Sequence, residues 1–158
     1  MKKRIYFDLD GTLADLYSVA NWLECLENQD VRPYEMCKPC LRLSPLARLL
    51  NSLQSNGCEI CVISWLSKSS NREYDEAVTR AKRIWLQTHL PSVLFDEVII
   101  LPYGTPKSFF APVGSILFDD SEEVRNDWVL NGGIAYDETD IISVLKDLLE
   151  NDFDDSVL

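Results

Sequence analysis

No apolar run in these 158 residues approaches the roughly 20 that a membrane-spanning helix needs. The basic start Met1-Lys2-Lys3-Arg4 meets only a few apolar residues before Asp8, so no secretory leader forms and the cytoplasm is the expected compartment. There is no basic stripe. Fifteen lysines and arginines against 26 aspartates and glutamates give a net charge of −11. That excludes a nucleic-acid duplex as partner, since nothing replaces its counterions, but leaves room for a small anion held by a few local cations. No repeat, low-complexity segment or linker divides the chain, and its length suits one domain with a real core, expected over 1–150. Between Asp137 and Asp155 stand eight acidic residues and one lysine, and 151–158 reads as a solvated acidic tail. The single histidine, His89, falls where a helix should end and reads as a helix-end residue rather than a catalyst.

Cysteine is present but carries little. Cys37-x-x-Cys40 and Cys58-x-x-Cys61 enclose 17 residues, which formally matches a four-cysteine zinc spacing. The second pair lies in a run that reads as a buried strand, Cys58-Glu59-Ile60-Cys61-Val62-Ile63. Residues three apart on a strand point to opposite faces, so these two thiols read as core groups rather than ligands of one metal. Cys37 and Cys40 read as a loop dithiol without the strand-then-helix context that activates a redox pair. Disulfides are not expected in a reducing compartment.

What is present is an alternation of short apolar runs with amphipathic stretches. Ile5-Tyr6-Phe7 predicts a strand that stops at Asp8, and Leu16 to Leu26 has helical spacing. Ser44-Pro45 reads as a serine cap with proline in the first turn of a helix carrying leucines 46, 49, 50 and 53, closed by Asn56-Gly57. A strand over 58–63 and a helix over 73–89 follow, the latter with Ala77, Ala81, Ile84, Trp85 and Leu86 as its apolar face. Strands are then expected at 97–101, 115–118 and 134–136, with helices at 124–130 and 141–149. Strands alternating with helices mean βαβ units and a parallel, Rossmann-like α/β sheet, in which ligands bind beyond the carboxyl ends of the strands.

Polar residues gather at those ends. Asp8-Leu9-Asp10-Gly11-Thr12 follows the first strand, and Gly11 lets the chain turn so that both carboxylates converge. Neighbouring carboxylates repel, and a divalent cation with hard oxygen ligands is their simplest resolution. Taken alone, an Asp-Gly after a strand is often just a turn. A second acidic pair, Asp119-Asp120, follows another buried run, Ile116-Leu117-Phe118. Ser64 adds a hydroxyl after the strand over 58–63, and Lys107 a cation after that at 97–101. Carboxylates, a hydroxyl and an ammonium at four strand ends make a site for phosphate and magnesium, and hence for a small phosphorylated substrate.

These residues carry a family resemblance. Asp8-Leu9-Asp10-Gly11-Thr12 looks like the first motif of the haloacid dehalogenase superfamily, and Val62-Ile63-Ser64 resembles the second. Lys107 suits the third and Phe118-Asp119-Asp120-Ser121 the fourth, so the resemblance spans about 4–136. It implies that Asp8 attacks phosphorus and also binds Mg²⁺. It implies that Asp10 protonates the leaving oxygen, later activates water, and ligates the metal through its backbone carbonyl. Thr12 and Ser64 would hydrogen-bond phosphoryl oxygens, and Lys107 would neutralise Asp8 and the transferring group. Asp120 would be a direct metal ligand and Asp119 direct or through water. A carboxylic acid at position 10 is of no use to a dehalogenase but serves a poor alkoxide leaving group, which favours phosphomonoester hydrolysis.

Residues 15–43 remain for a small cap. The stretch 81–107 looks like the 5'(3')-deoxyribonucleotidase branch, although Trp65 stands where that branch would place a smaller residue or proline. Trp65 is a candidate to stack on a base, or simply a rim residue. Lys68 reads as an ordinary loop lysine, Asp127 as a helix-surface carboxylate and Arg125 as a partner in a helical ion pair. Phosphatase action on a sugar phosphate or phosphoprotein, and a non-catalytic binding or regulatory protein on the same scaffold, are the alternatives.

Overall fold

The structure, a computed structural model, describes residues 2–155. Its elements run β1 (Arg4–Phe7), β2 (Ala14–Asp15), α1 (Trp22–Glu27), α2 (Arg32–Met36), β3 (Lys38–Pro39), α3 (Leu43–Ser55) and β4 (Glu59–Trp65). There follow α4 (Arg72–His89), β5 (Glu97–Leu101), β6 (Ile116–Phe118), α5 (Glu122–Leu130), β7 (Ile134–Tyr136) and α6 (Ile141–Asp155). Five strands form one sheet in the order β5-β4-β1-β6-β7, with every pairing parallel. The chain leaves β1 toward β4 and β5 on one side, then crosses to β6 and β7 on the other. This strand-order reversal opens a crevice above β1.

Alternation along the strands builds two cores. Ile5, Phe7, Ile60 and Val62 face α3 and α6 through Leu46, Leu50, Leu53, Ile141 and Leu145. Tyr6, Cys61 and Ile63 face α5 through Val124 and Trp128. Cys58 belongs to the first core and Cys61 to the second, so the strand geometry separates these thiols. Cys37 is buried and Cys40 exposed.

Between β2 and β3, which pair antiparallel, the chain makes an excursion that carries α1 and α2. Leu16, Leu26 and Tyr34 of this excursion pack on Tyr74, Val78 and Ala81 of α4, forming a third cluster. The helix expected across 16–26 is broken: a 3-10 turn covers Leu16–Ser18, and Asn21 adopts φ 60° before α1 begins. Both end leucines are still buried, because the chain reverses between them rather than winding straight through.

Three further expectations change. Ser44 lies inside α3, where its carbonyl and hydroxyl accept from Arg48, and no side chain caps that helix. On α4 the buried stripe is Tyr74, Val78, Ala81, Lys82, Trp85 and Leu86, while Ile84 is exposed. The last helix does not stop at 149 but runs to Asp155; of the tail expected over 151–158, residues 156–158 lie outside the described residues, as does Met1. No helix among the described residues is long and apolar enough to cross a membrane.

Candidate active site

Strand β1 delivers Asp8 to the crevice, where its backbone N–H donates to the Phe118 carbonyl at 2.9 Å. β6 ends beside it, with the Asp119 N–H donating to the Tyr136 carbonyl at 3.1 Å. The two acidic pairs therefore meet because their strands are neighbours in the sheet. The Lys107 ammonium, carried on the 3-10 turn Lys107–Phe110, donates to Asp8 Oδ1 at 2.9 Å and Asp119 Oδ2 at 2.8 Å. Asp8, Asp119 and Lys107 are all buried. Thr12, fully buried, donates its hydroxyl to Asp8 Oδ2 at 3.0 Å and accepts from the Asp120 N–H at 3.2 Å. The Ser121 N–H donates to Asp119 Oδ1 at 2.9 Å while the Ser121 hydroxyl caps α5, so the turn after β6 is fixed at both ends.

One oxygen from each of Asp8, Asp119 and Asp120 lies within 4.8 Å of the others. Three hard oxygen donors so placed fit a small divalent cation such as Mg²⁺. Burial first, and the Asp8 charge second, push the Asp119 carboxyl up to about 6 and that of Asp120 up to about 7. Burial works against the Lys107 ammonium, but Asp8 and Asp119 together outweigh it and raise its pKa. Burial also raises the Asp10 carboxyl, against the opposing pull of Lys82.

Asp10 does not join the three-carboxylate group with its side chain. Its Oδ2 accepts from the Lys82 ammonium at 2.9 Å, and the same ammonium donates to the Ser64 hydroxyl and the Trp65 carbonyl, each at 2.7 Å. Ser64 lies within β4 rather than after it, and is fully buried. Lys82 lies in the stretch 81–107 noted above for its resemblance, but sequence reasoning did not place it in the site. Its signal was its position four residues from both Val78 and Leu86, a lysine on the stripe that α4 buries.

Asp8, Asp10, Lys107, Asp119 and Asp120 open onto a cleft of about 480 Å³. Tyr17, Trp22 and Tyr34 of the excursion line one side, and Trp65, Lys68 and Tyr103 contribute from the strand ends. Trp65 donates its indole N–H to the Thr105 carbonyl at 2.8 Å and presents its ring 5.2 Å from that of Tyr103. Lys68 is exposed, with its ammonium 5.0 Å from the centre of the Tyr103 ring, whereas Lys107 is the lysine paired with Asp8 and Asp119. Among the described residues Arg125 forms no helical ion pair; it donates to the Asp119 carbonyl at 2.9 Å. Asp127 accepts from the Ser108 hydroxyl at 2.8 Å and is absent from the metal-competent group. His89 packs its ring 4.3 Å from that of Trp85.

No protein-family model and no curated protein matches the chain. Solved structures do. The chain is similar in fold to a D,D-heptose 1,7-bisphosphate phosphatase from Burkholderia thailandensis, with 11% identity and a TM-score of 0.57. The same holds for a D,D-heptose 1,7-bisphosphate phosphatase from B. bronchiseptica, complexed with magnesium and phosphate, at 13% identity and a TM-score of 0.57. Each similarity covers 94% of this chain and 99% of the other. The shared feature is the α/β fold: a parallel sheet flanked by helices.

Proposed function

We propose that the chain is a magnesium-dependent phosphomonoester hydrolase of the haloacid dehalogenase type, acting through a phosphoaspartate on Asp8. The observation that carries this reading is the state of the Asp8 carboxylate. One oxygen is held by Lys107 and the other by Thr12, beside two further carboxylates, at the floor of a cleft. A structural turn has no need of a buried ammonium there. Similar folds in two phosphatases, one with magnesium and phosphate bound, support it.

In the first half-reaction an Asp8 oxygen attacks phosphorus, the bond from phosphorus to the leaving oxygen breaks, and Asp10 gives that oxygen its proton. Burial holds the Asp10 carboxyl toward the protonated form this step uses. Lys107 offsets charge on Asp8 and the transferring group. In the second, Asp10 takes a proton from water as the water oxygen attacks phosphorus, the bond to Asp8 breaks, and orthophosphate leaves. Thr12 acts by holding Asp8 and Asp120, and Ser64 through its tie to Lys82. Asp8, Asp119 and Asp120, with the Asp10 carbonyl, would hold Mg²⁺, which supplies Lewis-acid neutralisation of phosphoryl oxygens.

The walls favour a leaving group that carries a flat ring, such as the base of a nucleotide monophosphate. Five aromatic side chains line a cleft whose volume suits a small ligand. Phosphate release with Mg²⁺ from p-nitrophenyl phosphate and from a panel of nucleotide and sugar phosphates tests both levels. Asp8→Asn should abolish turnover, by more than about 1,000-fold for a lost nucleophile. A preference for sugar phosphates would overturn the nucleotide reading alone. No turnover of any phosphomonoester would overturn the enzyme.

A further inference from the structure

Two lysines are buried among the described residues, and the proposed reaction uses only Lys107 directly. Lys82 projects from the middle of α4 with 1% of its side chain exposed. An ammonium has three protons, and those of Lys82 go to Asp10 Oδ2, Ser64 Oγ and the Trp65 carbonyl. The Tyr34 ring lies 5.2 Å from the same nitrogen, against the excursion. Lys82 thus has no donor left for a substrate, and it does not line the cleft, whereas Asp10 does. The arrangement joins two strand ends, β1 through Asp10 and β4 through Ser64 and Trp65.

We propose that Lys82 is a positioning residue for proton transfer: it clamps one oxygen of Asp10 so that the other addresses the leaving oxygen. Without the clamp the Asp10 side chain is free to take other staggered orientations, and a catalytic group displaced by even an ångström loses much of its effect. This inference rests on the phosphatase reading above. It assigns to Lys82 a contribution that grows with the need for a proton on the leaving group, which a lysine that merely cements α4 to the sheet would not have.

The test compares kcat/KM for p-nitrophenyl phosphate, whose leaving group departs as an anion, with that for a primary alkyl phosphate, whose leaving group needs the proton. Lys82→Met should lower the alkyl value by about 100-fold, the scale of general acid catalysis, and the aryl value by no more than about fivefold. Asp10→Asn should show the same bias, and the double variant should be no worse than Asp10→Asn alone. Equal losses on both substrates, or additive losses in the double variant, overturn the proposal. A crystal structure of Lys82→Met supplies a readout that needs no turnover. The Asp10 carboxyl should leave its present place, and a carboxyl that stays put overturns the positioning role even if the wild type hydrolyses nothing. Absence of wild-type turnover would instead sink the phosphatase reading. Should Lys82→Met fail to fold by circular dichroism, Lys82→Leu, which has no N–H donor in its side chain, carries the same measurements.

Discussion

Gly11 has little room to change. Its φ of +81° lies in the left-handed region, and a Cβ built there would come 2.4 Å from Asp120 Oδ2 and 2.8 Å from Tyr17 Cε2. A side chain at 11 would therefore strain the backbone and displace a carboxylate of the metal-competent group at once. Gly11→Ala should cost about 1–3 kcal/mol in chemical denaturation. It should also weaken Mg²⁺ binding by calorimetry, and unaltered Mg²⁺ affinity would remove Asp120 from the ligand set. From the sequence Gly11 could be read as a turn. Its close approach to Asp120 depends on β6 lying next to β1, a pairing that no local spacing records.

At the scale of elements, α4 holds both the Lys82 ammonium and the excursion. Its cap is Asn71, whose side chain accepts from the Tyr74 N–H at 2.8 Å and donates to Gln29 at 2.7 Å. Asn71→Ala removes the cap and the tie together. It should lower stability by about 1 kcal/mol, read as a reduced Tm, and a Tm unchanged would mean that water replaces both contacts. The helix itself was legible from its periodicity, and so were the strand ends, because apolar runs stop at Asp8 and at Asp119 and two such acidic stops are hard to explain by turn chemistry alone. The excursion was less legible. Leu16 and Leu26 have helical spacing yet meet in one cluster through a chain reversal at Asn21, and spacing cannot distinguish the two routes to burial. Lys82 escaped for a related reason: a long cation in a helix reads as solvated unless the stripe it occupies is counted as buried.

For the whole molecule the consequence is a pH dependence set by the carboxylate group. Burial and the neighbouring Asp8 charge push the Asp119 carboxyl up to about 6 and the Asp120 carboxyl up to about 7, above the ordinary value of 3.8, so between those limits the folded state binds more protons than the unfolded chain. Stability then falls as pH rises through that window, and the penalty is complete only above about 7. In EDTA, Tm should rise when pH is lowered from about 8 to about 6. Mg²⁺ should raise Tm most at the upper end, where the carboxylates are ionised, and little near the lower. A Mg²⁺ effect independent of pH would mean that these groups are not the ones that bind it.

The central strand has one more consequence, for how the chain is made. β1 pairs with β4 on one edge and β6 on the other, and 108 residues separate Thr12 from the Asp120 it contacts. During synthesis, on the order of ten seconds pass between the two emerging from the ribosome. Until β6 emerges, one edge of this buried strand stays open and the group of Asp8, Lys107 and Asp119 is incomplete. Every piece of the chain that stops short of Asp120 lacks part of the site, so the site is acquired only after most of the chain has been made.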